Sequence, residues 1–240
     1  MNLLKTKAIV FNSLRYGNSS LIVRCFTSEQ GMRSYLLKGV LGSRKGGLKP
    51  AYFQPLSQLE IVAYHKQNSN LHTIKEVQII NPYNSVFSSL SKQTIVLFLS
   101  EILSLVIKEE EKNDYLYTYL ETALIWLDNY DEVSNFHLLF LLNLSKILGF
   151  YPDITHIQKN SFNLAEGRFT NSTSNKSTIC GAKLVLFKGL LGLNFNKAAS
   201  LLLSKNERKI LLKIILDYFE LHAEGFKKPK SLAVLESVFS

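Results

Sequence analysis

The sequence predicts an α+β fold in which a small five-stranded β barrel is followed by an all-α helical domain. Two observations support this prediction. The first 80 residues carry strand-like segments separated by turn residues, whereas after Asn81-Pro82 the apolar residues recur at helical spacing. A chain of 240 residues, 46% of them apolar, suits one large domain or two small ones. We therefore expect domains at residues 1–80 and 81–240.

Five segments rich in β-branched and aromatic residues form the predicted barrel. Gly, Asn and Ser occupy the breaks between them, as is typical of turns. An all-β module of this size suits an OB-type barrel, with an SH3-like barrel as the near alternative. The segments are KAIVFNSLRY (7–16), LIVRCFT (21–27), MRSYLLKGV (32–40), SQLEIVAY (57–64) and LHTIKEVQII (71–80).

The second part of the chain has helical periodicity. One apolar stripe runs from Ile95 to Val106 and another from Leu116 to Leu127, while residues 135–150 are apolar nearly all round and predict a central helix that ends at Gly149. The region 151–180 is rich in Asn, Ser and Thr, which predicts an irregular exposed loop insertion with room for a short hairpin. Further helices are predicted at 182–191, 196–203 and 206–223, and a terminal helix is predicted after Ser231.

Positive charge is concentrated at the start of the chain. Residues 1–50 contain nine Lys or Arg and one acid, a net charge of +8, whereas residues 81–240 carry +1 of the overall +9. This asymmetry predicts a dedicated polyanion-binding module. Its candidate nucleic-acid-binding residues are Arg15, Arg24, Arg33, Tyr35, Lys38, Arg44, Lys45 and Lys49.

Four of these cations lie in the glycine-rich stretch KGVLGSRKGGLKP, residues 38–50. A phosphate-binding loop of a nucleotide enzyme needs Lys and then Ser or Thr after its second glycine. Here Leu48 follows Gly47, and Pro50 comes where a helix would begin. The stretch is therefore either a flexible contact for a nucleic-acid backbone or a solvated linker.

Strand alternation places Arg24 and Phe26 on one face, and Arg33 and Tyr35 on one face. If these two faces are the same side of the barrel, cations for phosphates lie beside rings for bases, as in proteins that bind single strands. The alternative is that both rings belong to the core.

No catalytic or metal-binding pattern stands out. The five histidines are scattered, the HExxH and G-x-S-x-G patterns are absent, and two cysteines cannot supply a four-thiolate zinc site. We expect a non-enzymatic chain without cofactor or metal. The N-terminus lacks a signal-peptide pattern, and the most apolar segment is short for a membrane span and contains Lys146, so we expect a cytoplasmic protein without membrane contact.

The order of several short motifs resembles the RecO family of bacterial recombination mediators. Their residues are Tyr16-Gly17, Thr27 and then Gly31, Lys38-Gly39, Arg44, Gln54-Pro55, LGFYPDI (148–154) and SLAVLESVF (231–239). The resemblance covers essentially the whole chain, although no single motif is specific.

This resemblance implies an OB-fold packed on a helical domain and a role in DNA repair without catalysis. It implies binding of single- and double-stranded DNA, annealing of complementary strands and help in loading RecA onto strands coated by single-strand-binding protein (SSB), near the nucleoid. It also implies RecR and the acidic C-terminal tail of SSB as partners. An acidic tail should dock where cations border an apolar groove, and the candidates are Lys205, Arg208, Lys209 and Lys213.

The chain departs from many RecO relatives at one place. These relatives carry a four-cysteine zinc module just after the LGF-P-D segment, whereas only Cys180 is available here. We expect no structural zinc in this chain. We expect the segment just after LGFYPDI to be either held by packing or mobile. Two other functions remain open: an RNA-binding OB protein of translation or RNA processing, and an interaction adaptor whose basic barrel grips an acidic partner.

Overall fold

The computed structural model describes residues 2–42, 48–65, 69–108, 110–172, 177–199 and 201–239. The chain forms two compact units, Met1–Asn129 and Tyr130–Ser240.

The first unit contains the predicted five strands. They are β1 (Asn2–Tyr16), β2 (Ser20–Thr27), β3 (Gly31–Leu37), β4 (Gln58–His65) and β5 (Leu71–Ile79). They close into a barrel in the order β1-β2-β3-β5-β4, with β4 paired to β1. The pair β3–β5 is parallel and the other pairs are antiparallel. This arrangement confirms the predicted OB-type barrel.

The barrel interior is filled by alternate residues of each strand. Val23, Cys25 and Tyr35 are 0% exposed, and Leu59 and Ile61 on the far side of the barrel are equally buried. The end of β1 and the turn that leads to β2 extend past this core as a run of exposed residues, 12–19, which we call the β1–β2 hairpin. This β1–β2 hairpin therefore presents its side chains to solvent.

Two helices share the first unit with the barrel. They are α1 (Leu90–Val106) and α2 (Asp114–Asn129). The hydroxyl of Ser100 in α1 donates to the backbone oxygen of Phe11 at 2.9 Å, and the ring of Tyr117 in α2 lies 6.3 Å from that of Phe26. Both helices therefore cover part of the outer face of the barrel. The strands of the barrel end with β5, and the helices begin after it. Domains at residues 1–80 and 81–240 remain our proposal.

The second unit is built around α3 (Phe136–Ile147), in which nine of the twelve residues are buried, as predicted for a central helix. Gly149 has a φ of +84°, a conformation that favours glycine and ends the helix. The other helices are α4 (Gly181–Leu190), α5 (Phe195–Ala199), α6 (Lys205–His222) and α7 (Leu232–Phe239).

The region 151–180 contains a small sheet, where we expected an irregular exposed loop with room for a short hairpin. The antiparallel pair β6–β7 agrees with that hairpin, whereas the third strand and the burial were not expected. Its strands are β6 (Ser161–Asn163), β7 (Arg168–Thr170) and β8 (Thr178–Cys180), in the order β7-β6-β8. Phe162 and Phe169 are almost fully buried, and the Phe162 ring packs 5.1 Å from Phe187 of α4. Phe162 and Phe169, together with the buried Leu164 and Ile179, therefore give this mostly polar segment an apolar centre.

Candidate functional site

The two predicted surface faces lie on opposite sides of the barrel wall. In the β2–β3 register, Arg24 pairs with Ser34 and Cys25 pairs with Arg33. Directly paired residues share a face of an antiparallel sheet. Because the Cys25 side chain points into the core, the side chain of Arg33 also leaves the backbone on the inner face. The side chains of Arg24 and Phe26 leave the backbone on the outer face. The two rings therefore do not join the two cations on one open surface, although the side chains of Arg24 and Arg33 both line one small cleft.

Tyr35 is a core residue, which corrects its prediction as a surface residue for stacking. Its side chain is 0% exposed, and its hydroxyl lies 3.4 Å from Nε2 of His65. The rings of His65 and His72 stack at 4.2 Å beside it. Burial, together with the positive charges of His72 and Arg33, lowers the pKa of His65 to about 4. Phe26 is also buried, at 1% exposure, so neither ring is open to a base.

The exposed aromatic side chain on the outer face is Tyr16. It is 56% exposed and lies on the same face of β1 as Leu14, which is 64% exposed. Leu14 pairs with Ile22 and Asn12 pairs with Arg24, so Tyr16 and Arg24 share a face. Sequence reasoning used Tyr16 only as the last residue of a strand-like segment and as part of the Tyr16-Gly17 motif. Its place at the end of an alternating strand was the signal that could have found it.

Four predicted cations carry uncompensated charge. Arg15 is exposed in the β1–β2 hairpin and donates to the backbone oxygen of Asn18 at 3.2 Å. Arg24 is half-buried, Lys38 is exposed in the turn after β3, and Lys49 is exposed just before a 3₁₀ helix, Pro50–Phe53. None of the four forms an ion pair with the described part of the chain.

The other N-terminal cations either form ion pairs or lie outside the described residues. Arg33 is paired, with its Nη1 atom 3.1 Å from Oε2 of Glu110. Lys5 and Lys7 on β1 are neutralised by Glu60 and Glu121, at 2.8 and 3.1 Å. The predicted DNA contacts Arg44 and Lys45 lie outside the described residues. Among these cations, those without a described ion pair are therefore Arg15 in the β1–β2 hairpin, Lys38 in the β3 turn, Arg24 in β2 and Lys49 before the 3₁₀ helix.

A second candidate site is a cavity of about 290 Å³ in the second unit. Lys205, Arg208 and Lys209 of α6 line one part, and Leu235 and Phe239 of α7 supply apolar surface. Three of the four cations predicted for partner binding therefore border one apolar cavity. The fourth, Lys213, is not among the lining residues and pairs with Asp217 at 3.6 Å.

Local structure holds these cations in place. Ser204 and Glu207 form a capping box at the start of α6, so the turn that carries Lys205 and Arg208 is well fixed. The Nη1 atom of Arg208 donates to the backbone oxygen of Leu203 at 2.6 Å. His137 of α3 also lines the cavity, and burial and the charge of Arg208 lower its pKa to about 3.

The described residues include no group of three or more His, Cys, Asp or Glu side chains placed to hold a metal ion. Cys25 is buried, which raises the pKa of its thiol to about 12, and Cys180 is an exposed free cysteine. In the ranges that the structure describes, no helix is both long and apolar enough to cross a membrane.

Comparisons with known proteins agree with this architecture. The family model "Recombination protein O N terminal" matches residues 1–83, and "Recombination protein O C terminal" matches residues 88–233. The chain belongs to the recombination protein O (RecO) family. Proteins named DNA repair protein RecO are similar over 237 residues, 99% of each chain, with identities of 48% in Flavobacterium psychrophilum, 46% in Flavobacterium johnsoniae and 43% in Christiangramia forsetii.

Membership of the RecO family confirms the predicted resemblance and the general role in DNA repair and recombination. The boundary between the two family models falls between β5 and α1. In the described part of region 151–180, this chain has the β6–β8 sheet with its buried Phe162 and Phe169. Aromatic packing therefore holds this segment.

Proposed function

We propose that this RecO-family chain is a recombination mediator that binds single- and double-stranded DNA and anneals complementary strands. It assists the loading of RecA onto SSB-coated DNA and acts by binding, without catalysis. The observation that carries the proposal is the set of barrel cations that no described carboxylate neutralises: Arg15, Arg24, Lys38 and Lys49. Such cations gain affinity for a polyanion by releasing its condensed counterions.

The DNA surface that we propose is the outer face of the β1–β2 hairpin with the adjoining β3 turn. Tyr16 provides an exposed ring there, and Arg24 on the same face provides charge. Phosphate contacts and base stacking together give affinity with little sequence preference. That combination suits a mediator, because a mediator has to act on many sequences.

Fluorescence anisotropy with a labelled single-stranded DNA across a salt series tests this function. We expect affinity to fall steeply and linearly with the logarithm of salt concentration. Undetectable binding at low salt would contradict DNA binding and would favour an adaptor for an acidic protein. Much tighter binding to RNA of the same sequence would instead favour a role in RNA processing.

We propose that the cavity between α6 and α7 binds the acidic C-terminal tail of SSB. Cations at its border would pair with the acidic residues, and the apolar surface of Leu212, Leu235 and Phe239 would accept an apolar tip. A labelled tail peptide tests this proposal. Lys205→Gln with Lys209→Gln should weaken peptide binding at least severalfold, whereas Lys213→Gln with Lys227→Gln changes the same charge away from the cavity and should not.

RecR is the further partner that family membership suggests, and we propose that the complex works in the cytoplasm at the nucleoid. Co-elution of the purified chain with RecR in size-exclusion chromatography tests this association. Separate elution at micromolar concentrations of both proteins would contradict it.

A further inference from the structure

A small polar cleft lies where β3 and β5 separate. The two strands pair only at Ser34 with Leu71 and at Tyr35 with His72. The cleft has a volume of about 80 Å³, well above the roughly 10–15 Å³ that one water molecule needs. Its walls include Arg24, Arg33, Ser34, Asn70, His72 and Lys108. All six side chains can donate hydrogen bonds, and three of them carry a permanent positive charge.

The backbone and side chain of Glu110 reach the Arg33 guanidinium in this cleft. Nη1 of Arg33 donates to Oε2 of Glu110 at 3.1 Å, and Nη2 donates to the Glu110 backbone oxygen at 3.0 Å. Two oxygens therefore meet two nitrogens of one guanidinium. A phosphate group offers an arginine the same two-oxygen arrangement.

Arg33 is held in position for such an anion. Its Nη1 atom also donates to the backbone oxygen of Met32 at 2.8 Å, and its Nε atom donates to Oε1 of Gln30 at 3.3 Å. The Arg33 side chain is 18% exposed, whereas that of Glu110 is 65% exposed. The cation is thus fixed and partly desolvated, and its carboxylate partner is largely in water.

Among the described residues that line the cleft, positive charges outnumber negative ones. Arg24, Arg33 and Lys108 face one carboxylate among the described lining residues, that of Glu110. The residues between the end of α1 and the start of α2 carry this carboxylate outside any helix, so it can leave Arg33 without disturbing helical hydrogen bonds. A more highly charged anion would therefore be favoured at the same place.

We infer that this cleft is a subsite for one backbone phosphate of DNA, and that Glu110 fills it in the free chain as an internal competitor. The inference rests on the proposed DNA-binding function. DNA has to displace Glu110 to reach Arg33, which lowers the affinity of the free chain. Any contact that draws the α1–α2 connection away would raise that affinity.

The test is DNA binding by the full chain carrying Glu110→Gln, measured by anisotropy across a salt series. The carboxylate of the lost pair is largely exposed, so we expect a gain in affinity of about two- to fivefold at low salt. The slope of log affinity against log salt should steepen by up to about one unit, because Arg33 then releases a salt anion and not its own carboxylate.

Glu111→Gln is the matched control, because Glu111 is an exposed neighbour and the variant changes the net charge equally. Lys108→Gln should weaken binding in the wild-type and Glu110→Gln backgrounds alike. Arg33→Gln should remove most of the gain that Glu110→Gln produces, with folding checked by circular dichroism.

The outcomes separate the two proposals. If the wild-type chain does not bind DNA at low salt, the proposed function fails. If the wild-type chain binds DNA but Glu110→Gln raises the DNA affinity no more than Glu111→Gln does, the proposed function stands and the role of Glu110 as an internal competitor is wrong.

Discussion

The carboxylate of Asp128 in α2 accepts a hydrogen bond of 2.8 Å from the backbone N–H of Ser85. The N–H groups of Asn84 and Val86 donate to the same carboxylate at 2.9 and 3.0 Å. Burial acts to raise the pKa of Asp128, but these three donors and the Ser85 hydroxyl outweigh it and lower the pKa. One carboxylate thus joins α2 to the segment that leads from the barrel to α1.

Asp128→Asn should destabilise the chain by about 2–3 kcal/mol, because hydrogen bonds to a charged group are strong and an amide NH₂ would face backbone donors. Urea denaturation at pH 7 measures the free energy of unfolding. Asp114→Asn in the first turn of α2 is the control, since that carboxylate is 73% exposed and its loss should cost less than about 1 kcal/mol. Equal losses in both variants would contradict this role of Asp128.

His137 should make stability depend on pH. Its pKa is about 3 in the folded chain, against an ordinary value of 6.5, so the unfolded chain binds the proton first as the pH falls. The free energy of unfolding therefore decreases below pH 6.5 and continues to decrease towards pH 3. Between pH 7.5 and pH 5 this one residue should account for a loss of about 2 kcal/mol.

Chemical denaturation of His137→Gln at pH 7.5 and pH 5 checks this prediction. The variant should lose about 2 kcal/mol less than the wild type over that interval, whatever its stability at pH 7.5. His156→Gln removes an exposed histidine of the same unit and should leave the loss unchanged. The prediction is wrong if the two variants respond alike.

Much of the fold could be predicted from local pattern. Each of the five strands and the stripes of α1 and α2 follow directly from side-chain period, and the turns carry glycine where it is needed. Gly31, for example, has a φ of +65° at the β2–β3 turn. These features are local, so neighbouring residues in the sequence suffice to specify them.

The side of the barrel on which each side chain lies could not be predicted in the same way. Alternation shows that Arg33 and Tyr35 share a face, but the inward or outward direction of that face depends on register with β2. Arg24 pairs with Ser34, the residue after Arg33, so the side chains of Arg24 and Arg33 begin on opposite faces of the sheet. For this reason Tyr35 was predicted at the surface.

Long-range pairs were also beyond sequence reasoning. Arg33 and Glu110 are 77 residues apart, and no local pattern joins them. In the β6–β8 sheet, the third strand and the buried centre were missed for a related reason, because the polar composition of the segment resembles a loop. Its order depends on contacts of Phe162 with Phe187 and Tyr218, which are distant in the sequence.

Tyr16→Ala should weaken binding of single-stranded DNA by about 1–3 kcal/mol, the usual contribution of a base stacked on an aromatic ring. Because stacking is not ionic, the slope against log salt should stay the same. Anisotropy measures both quantities. Tyr115→Ala removes a tyrosine of α2 that is 69% exposed, and it should bind as the wild type does. Equal affinity of Tyr16→Ala and the wild type would remove Tyr16 from the interface.

Removal of charge at Arg44, Lys45 and Lys49 together should weaken DNA binding without unfolding the chain. Each lost phosphate contact lowers the salt slope by about 0.7 for single strands. Substitution of Lys183, Lys197 and Lys227, three exposed cations of the second unit, by Gln changes the net charge equally and is the control. Unchanged affinity in the first triple variant would make the stretch 38–50 a solvated linker.

The measurement that tests the central claim most directly is the annealing of complementary strands coated with SSB, followed by the quenching of paired fluorophores. A recombination mediator has to act on strands in this state. We predict that the purified chain accelerates annealing severalfold, and that Lys205→Gln with Lys209→Gln reduces the acceleration while annealing of bare strands is unchanged. Equal annealing rates of SSB-coated strands with and without the chain would contradict the account.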